Sequence, residues 1–206
     1  MIRGVRRGCG VEAEGSFISR MIRRPATNAP QMALMWGLAW LIVGIILGWR
    51  FDLVPTSMFG YTWGHASLLW HTALGLVMWV SSTVCFFVAA AMLNRDVSMT
   101  ELFGRMLFAH WPVTFMLLPG IFMNKAAYST FMNNPLVAYK GDLGSAGVMT
   151  IIALVVLVWY VYWGYCAFRC STARGGVVTS ILYVVAFVCS FLLSRYALTA
   201  VYAGIL

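Results

Sequence analysis

Acidic residues are scarce in this sequence and badly placed for membrane chemistry. There are six in 206 residues (Glu12, Glu14, Asp52, Asp96, Glu101 and Asp142), and the hydropathy pattern puts every one in a tail or a loop. Proton relays and cation sites in membranes normally use an intramembrane carboxylate, so an ion-coupled carrier of the usual kind is disfavoured. No H-E-x-x-H pair of an intramembrane metalloprotease occurs, and there is no G-x-S-x-G elbow and no Walker loop. The expectation is a protein that is not an enzyme and carries no cofactor or metal. Charge of both signs is low: 10% of residues are charged, where a soluble domain carries about 25%. The five cysteines (Cys9, Cys85, Cys166, Cys170 and Cys189) leave no pair in an outward loop, so no disulfide framework is expected.

What remains is apolar. The mean hydropathy is +0.84 and 62% of the residues are hydrophobic. Five stretches are long enough to cross a hydrocarbon core of about 30 Å as helices. They run over about 31–49, 67–93, 106–123, 147–168 and 177–194. An all-α bundle of five transmembrane helices in a cell membrane follows. Residues 1–30 form a basic tail in which Phe17, Ile18, Met21 and Ile22, beside Arg20, Arg23 and Arg24, suggest a short surface helix. Segments 50–66 and 94–105 read as loops, 124–146 as a polar loop and 169–176 as a tight turn. Five spans give no even division into inverted halves.

With the N-terminus inside, ten Lys and Arg fall on the cytoplasmic side and four outside, which predicts a cytoplasmic N-terminus and an outside C-terminus. A start at Met21 would reduce that bias to six against four. Trp36, Trp40, Trp111 and Trp163 fall near the inner face on this reading, and Trp49, Trp63 and Trp70 near the outer. The net charge of +8 sets topology and attracts anionic lipid. Nucleic acid is not an expected partner.

Few residues offer chemistry. His71 lies about 6 Å in from the outer end of the second span at helical rise, and His110 equally far from the inner end of the third. The pair is therefore expected in opposite leaflets, unable to share a metal. His65 lies outside with no evident carboxylate partner. All three read as interfacial histidines, with a proton-sensitive role as the alternative. Cys166 and Cys170 share a helix face, as packing residues or as a metal or lipid attachment point. Gly44 and Gly48, and Ala186, Ser190 and Ser194, form small-residue stripes suited to helix packing within the bundle or between copies. Pro112 and Pro119 interrupt the third span, and Pro119 frees the carbonyl of Phe115. A static kink answered by a hydroxyl such as Thr114 is one reading. A cavity beside Phe115 and Pro119, faced by His71 or His110, is the other.

Two segments carry a family resemblance. Glu101–Gly120, ELFGRMLFAHWPVTFMLLPG, resembles the start of the third span in the Yip1 domain family of five-span membrane proteins, and Trp159–Gly175, WYVYWGYCAFRCSTARG, resembles that family's fourth-to-fifth connection. The DLYGP-type motif of eukaryotic members is missing, so binding to Rab-type GTPases is not implied. The resemblance implies a membrane organiser or an assembly or trafficking partner, acting through lipid and protein contacts or as a homo-oligomer. Its candidate contacts are Arg20, Arg23, Arg24, Arg169 and Arg174. A small permease or permease subunit using the kinked third span is the alternative. Each arginine near an anionic surface contributes about 1 kcal/mol. Binding of the full chain to anionic vesicles is accordingly expected to weaken with salt and on replacing Arg20, Arg23 and Arg24 by Gln. Retention that ignores both changes contradicts the tail's role.

Overall fold

In the computed structural model, residues 30–122 and 143–204 are described, with 126, 128, 130, 131, 134 and 136–138 between them. Four helices are long and apolar enough to span a membrane: α1 (Pro30–Arg50), α2 (Leu68–Leu93), α5 (Leu143–Thr172, apolar from Ala146) and α6 (Val177–Ala203). They show an inside-out distribution. Val158 and Val184 are more than half exposed, whereas Ser82, Thr83, Ser190 and Ser194 are almost fully buried. Water would reverse that order, and hydrocarbon favours it, because each hydroxyl needs a partner inside the protein.

The most extensive helix contact is α2 against α6. Ala186, Ser190 and Ser194 all face inward there, and Ser190 Oγ donates to the Ser82 carbonyl oxygen at 2.6 Å. The stripe in α6 thus packs within the bundle.

The third apolar stretch departs from expectation. It begins at Met99, seven residues before the predicted start. Ser98 caps α3 (Met99–Ala109) by accepting the Glu101 N–H at 3.4 Å. Glu101 lies in the first turn, where a carboxylate suits the helix dipole, and Arg105 follows one turn later. The two bond at 3.2 Å, with Arg105 buried. Both residues belong to the helix, so the predicted loop over 94–105 shortens to 94–98. After Ala109 the α-helix stops. Pro112 cannot donate to a carbonyl one turn back, so the chain continues as a 3-10 helix over Trp111–Met116 and then α4 (Leu117–Phe122). The break sits at Pro112, with Pro119 inside the last short helix.

The predicted loop over 50–66 contains a hairpin. β1 (Leu53–Pro55) pairs antiparallel with β2 (Tyr61–Trp63). Its tip turns into the bundle: Leu53 and Met58 have no exposed surface, and the Met58 amide donates to Ser194 Oγ at 3.2 Å. Tyr202 Oη donates to the Pro55 carbonyl oxygen at 3.0 Å, tying α6 to β1. Helices α5 and α6 also outrun the predicted spans at 168 and 194, and their ends are tied to the end of α2 and to this hairpin. Arg195 consequently lies within α6.

Trp40, Trp111 and Trp163, expected near the inner face, join one aromatic array in which Trp40 and Trp111 are half-buried and Trp163 is buried. Trp40 stacks on Trp111 with centroids 4.8 Å apart, and Trp111 meets the buried Trp163 edge-on at 5.5 Å. Trp36 and Trp49 stay exposed on α1.

Close approach of α1 and α3 relies on Gly37. A β-carbon there would lie 2.8 Å from the Phe108 backbone nitrogen, whereas one at Gly44 would meet Thr114 Oγ1 at an ordinary 3.7 Å. Gly37→Ala is therefore expected to cost about 1–3 kcal/mol, the usual range for overpacking, and Gly44→Ala close to nothing. Thermal unfolding of the two variants in one detergent checks this, and equal melting temperatures would contradict the register of α1 on α3.

Candidate functional site

The site is built where three irregularities meet: the hairpin, the glycine face of α1 and the break after α3. The α1 wall is Trp40, Leu41, Gly44, Ile45 and Gly48, and the α2 wall is His71, Gly75 and Met78. The hairpin supplies Leu53, Pro55 and Tyr61, and the broken segment Leu107, His110, Trp111 and Thr114. Together they enclose a partly open cavity of about 40 Å³. One water needs about 10–15 Å³ on this measure, so the space suits about three waters or a solute of similar size.

The polar atoms decide its character. His71 is 2% exposed, and its Nδ1 donates to the Ser67 carbonyl oxygen at 3.2 Å. That bond fixes the ring orientation and places the proton of the uncharged ring on Nδ1, which makes Nε2 a bare acceptor. Nε2 of His71 is buried and has no hydrogen-bond partner among the described residues. The same holds for Nε2 of His110 and Nε1 of Trp111. All three residues line the cavity. Each such atom costs about 1–3 kcal/mol when it stays unsatisfied, so this arrangement favours a polar occupant offering both donors and acceptors. Burial pushes the Tyr61 hydroxyl far above the ordinary phenol range, which keeps it a neutral O–H group.

The two histidines thus line one cavity at different heights, and His110 lies farther along its segment than expected. The reason is the earlier start of α3. Seven extra residues lift His110 by about 10 Å at helical rise, from near one end of the bundle to the level of the middle of α1. Contacts along α1 fix this level: Gly37 meets Leu107 and Phe108, Trp40 meets Trp111, and Gly44 meets Thr114. His71 lies level with Gly48, whose added β-carbon would be 3.6 Å from its Cδ2. About eight residues of α1 separate the two levels, or roughly 12 Å. A metal ion held by both rings is excluded by that separation.

The other predicted site residues scatter. Pro112 is buried next in sequence to the lining residue Trp111, Pro119 is buried in α4, and Phe115 stacks on Trp159 at 5.9 Å. The cavity therefore opens beside Thr114, not beside Phe115 and Pro119. The segment turns through the 3-10 helix, and this sends Phe115 toward α5. Gly48 is buried and Gly44 half-buried, both in the cavity wall. Arg169 and Arg174 are exposed at the α5–α6 turn, with Cys166 and Cys170 half-buried on α5 above it. Arg20, Arg23 and Arg24 lie outside the described residues. His65, which offered no evident carboxylate in the sequence, pairs with Asp52 at 2.9 Å at the base of the hairpin. Asp52 reaches it from a left-handed backbone conformation with φ of 56°. Among the described residues no three of His, Cys, Asp and Glu gather to hold a metal ion.

Tyr61 and the Trp111 indole were not singled out in the sequence. The hairpin that delivers Tyr61 carries a weak alternation, and the Trp111 signal was hidden by its assignment to an interfacial belt. No family model matches the sequence, and neither a curated protein nor a solved structure matches it.

Proposed function

We propose that this chain is a non-enzymatic, five-span membrane protein of Yip1-like layout whose working part is the cavity between α1, α2 and the broken segment, where it binds a small polar solute as a permease or permease subunit. One observation carries the reading: His71, His110 and Trp111, each with a buried polar atom that has no hydrogen-bond partner among the described residues, line a single cavity. Two supporting arguments concern topology. The short helices over Met99–Phe122 rise by about 37 Å when summed at helical and 3-10 pitch, which exceeds the roughly 30 Å of hydrocarbon and suits a fifth crossing. The distribution of Lys and Arg favours a cytoplasmic N-terminus, with the hairpin end of the bundle outside.

The organiser reading draws on a different surface. Arg169 and Arg174 are exposed beside each other at the α5–α6 turn, on the cytoplasmic side in this topology, where anionic headgroups would attract them. That surface leaves the cavity unexplained, and the solute reading takes precedence.

Thiol accessibility tests the proposal. In a background without native cysteines, a small, charged, membrane-impermeant methanethiosulfonate is expected to modify Thr114→Cys in intact membranes and to leave Phe115→Cys, on the Trp159 side, unmodified. Failure to react at Thr114→Cys, or equal rates at both positions, removes the solute-binding reading.

A further inference from the structure

The two histidines line one cavity at different heights along α1. Roughly 12 Å of helical rise separates the levels of His71 and His110. A chain of three waters between two imidazole nitrogens makes four hydrogen bonds of about 2.8 Å, which spans about 11 Å. The volume of about 40 Å³ also holds about three waters. Gly44 lies midway, in the wall between the two levels, and its missing side chain keeps the passage clear toward Thr114 Oγ1.

We propose that the cavity is a proton half-channel, in which a file of water links Nε2 of His71 at the hairpin end to Nε2 of His110 at mid-height of the bundle. This inference rests on the polar-cavity reading above and names the proton as what the cavity carries. In the proton step, Nε2 of His71 forms an N–H bond as an O–H bond of the water seated on it breaks, and the hydroxide left takes a proton from solvent to become water again. The same nitrogen then returns its proton to that water, the first of the file, while Nδ1–H stays on the Ser67 carbonyl oxygen. Each water forms one O–H bond and breaks another, and the last hands a proton to Nε2 of His110. One proton has moved from solvent to an imidazole, and nothing is oxidised or reduced. Chemistry of this kind needs a group able to act as acceptor and as donor at the same atom, which imidazole is.

The surroundings leave these rings as the groups that exchange protons. Facing them are Tyr61 from β2 and, edge-on to His110 with ring centroids 5.3 Å apart, Tyr160 from α5. Among the described residues, α1 contributes Trp40, Leu41, Gly44, Ile45 and Gly48, and α2 contributes Gly75 and Met78 beside His71. Among the described residues, no acidic or basic side chain lines the cavity besides the two histidines. The Glu101–Arg105 pair lies more than a turn below His110 on α3, and the Asp52–His65 pair sits at the hairpin base. Protonation at mid-height would place a charge beside the Pro112 break, where the 3-10 segment meets α1 and α5.

The test uses the full chain, with ring-¹⁵N histidine, in lipid nanodiscs. Nuclear magnetic resonance reads water contacts at both rings and the rate at which the His110 ring proton exchanges with solvent. The wild type is expected to show water contacts at His71 and His110. Gly44→Ala, which fits without a clash, and His71→Phe are each expected to slow exchange at His110 about tenfold or more, the equivalent of roughly 1.4 kcal/mol on the barrier. Gly147→Ala, whose added methyl meets nothing within 4 Å, serves as the control and is expected to change nothing. Unchanged exchange in Gly44→Ala overturns the half-channel while leaving a hydrated, solute-binding cavity intact. Absence of water contacts at both rings in the wild type overturns the half-channel and the solute reading together. Should His71→Phe fail to fold, Gly44→Ala alone decides.

Discussion

A backbone amide or carbonyl in hydrocarbon has no water to bond to, and each one left unsatisfied costs several kcal/mol. An α-helix satisfies them internally. Among the described residues, two parts of this chain are not α-helical and still lie inside the bundle, and the rest of the structure is arranged around satisfying them. The hairpin over 53–63 pairs its own strands, and its tip is then closed by the Thr56 amide to the Gly60 carbonyl oxygen and the Met58 amide to Ser194 Oγ. The 3-10 helix over Trp111–Met116 replaces the α-helical bonds that Pro112 forbids, starting with the Val113 amide on the His110 carbonyl oxygen. Both solutions require neighbours that shield the irregular backbone, and those neighbours are the small-residue faces of α1 and α6.

The cavity is a geometric consequence. Glycines at 37, 44 and 48 let α1 lie against α3, the 3-10 helix and β1 in turn. Regular helices with such faces would close completely. Here the narrower 3-10 helix and the hairpin present uneven surfaces, so the gap between them and Gly44 stays open. The polar atoms of His71, His110 and Trp111 fall on that gap because two of the three lie at the α-to-3-10 junction itself. An irregular backbone in a membrane protein is tolerated where it is buried or lines an aqueous space, and this one is packed inside the bundle.

The first two helices were legible to within a residue, since unbroken apolar runs bounded by Arg50, Ser67 and Asn94 leave little choice. The third stretch was misplaced by hydropathy alone. Glu101 and Arg105 look like loop residues on an apolarity scale, but they neutralise each other at helical spacing. The better signal was local chemistry: Ser98 followed three residues later by Glu101 is a capping-box pattern that starts a helix at Met99. Missing it shifted His110 by seven residues relative to the start of its helix. The packing role of Ser190 and Ser194 was readable from spacing. The hairpin was not, because three-residue strands held by distant serines and tyrosines have little signature of their own.

The central claim is that the irregular segments are interior and held by the bundle, and amide hydrogen exchange of the full chain in nanodiscs tests it most directly. The amides of Thr56, Met58 and Val113 should exchange as slowly as those in the middle of α2 and α6, and Ser194→Ala should selectively speed Met58. Exchange of these three amides at the rate of an open, solvated loop would contradict the account.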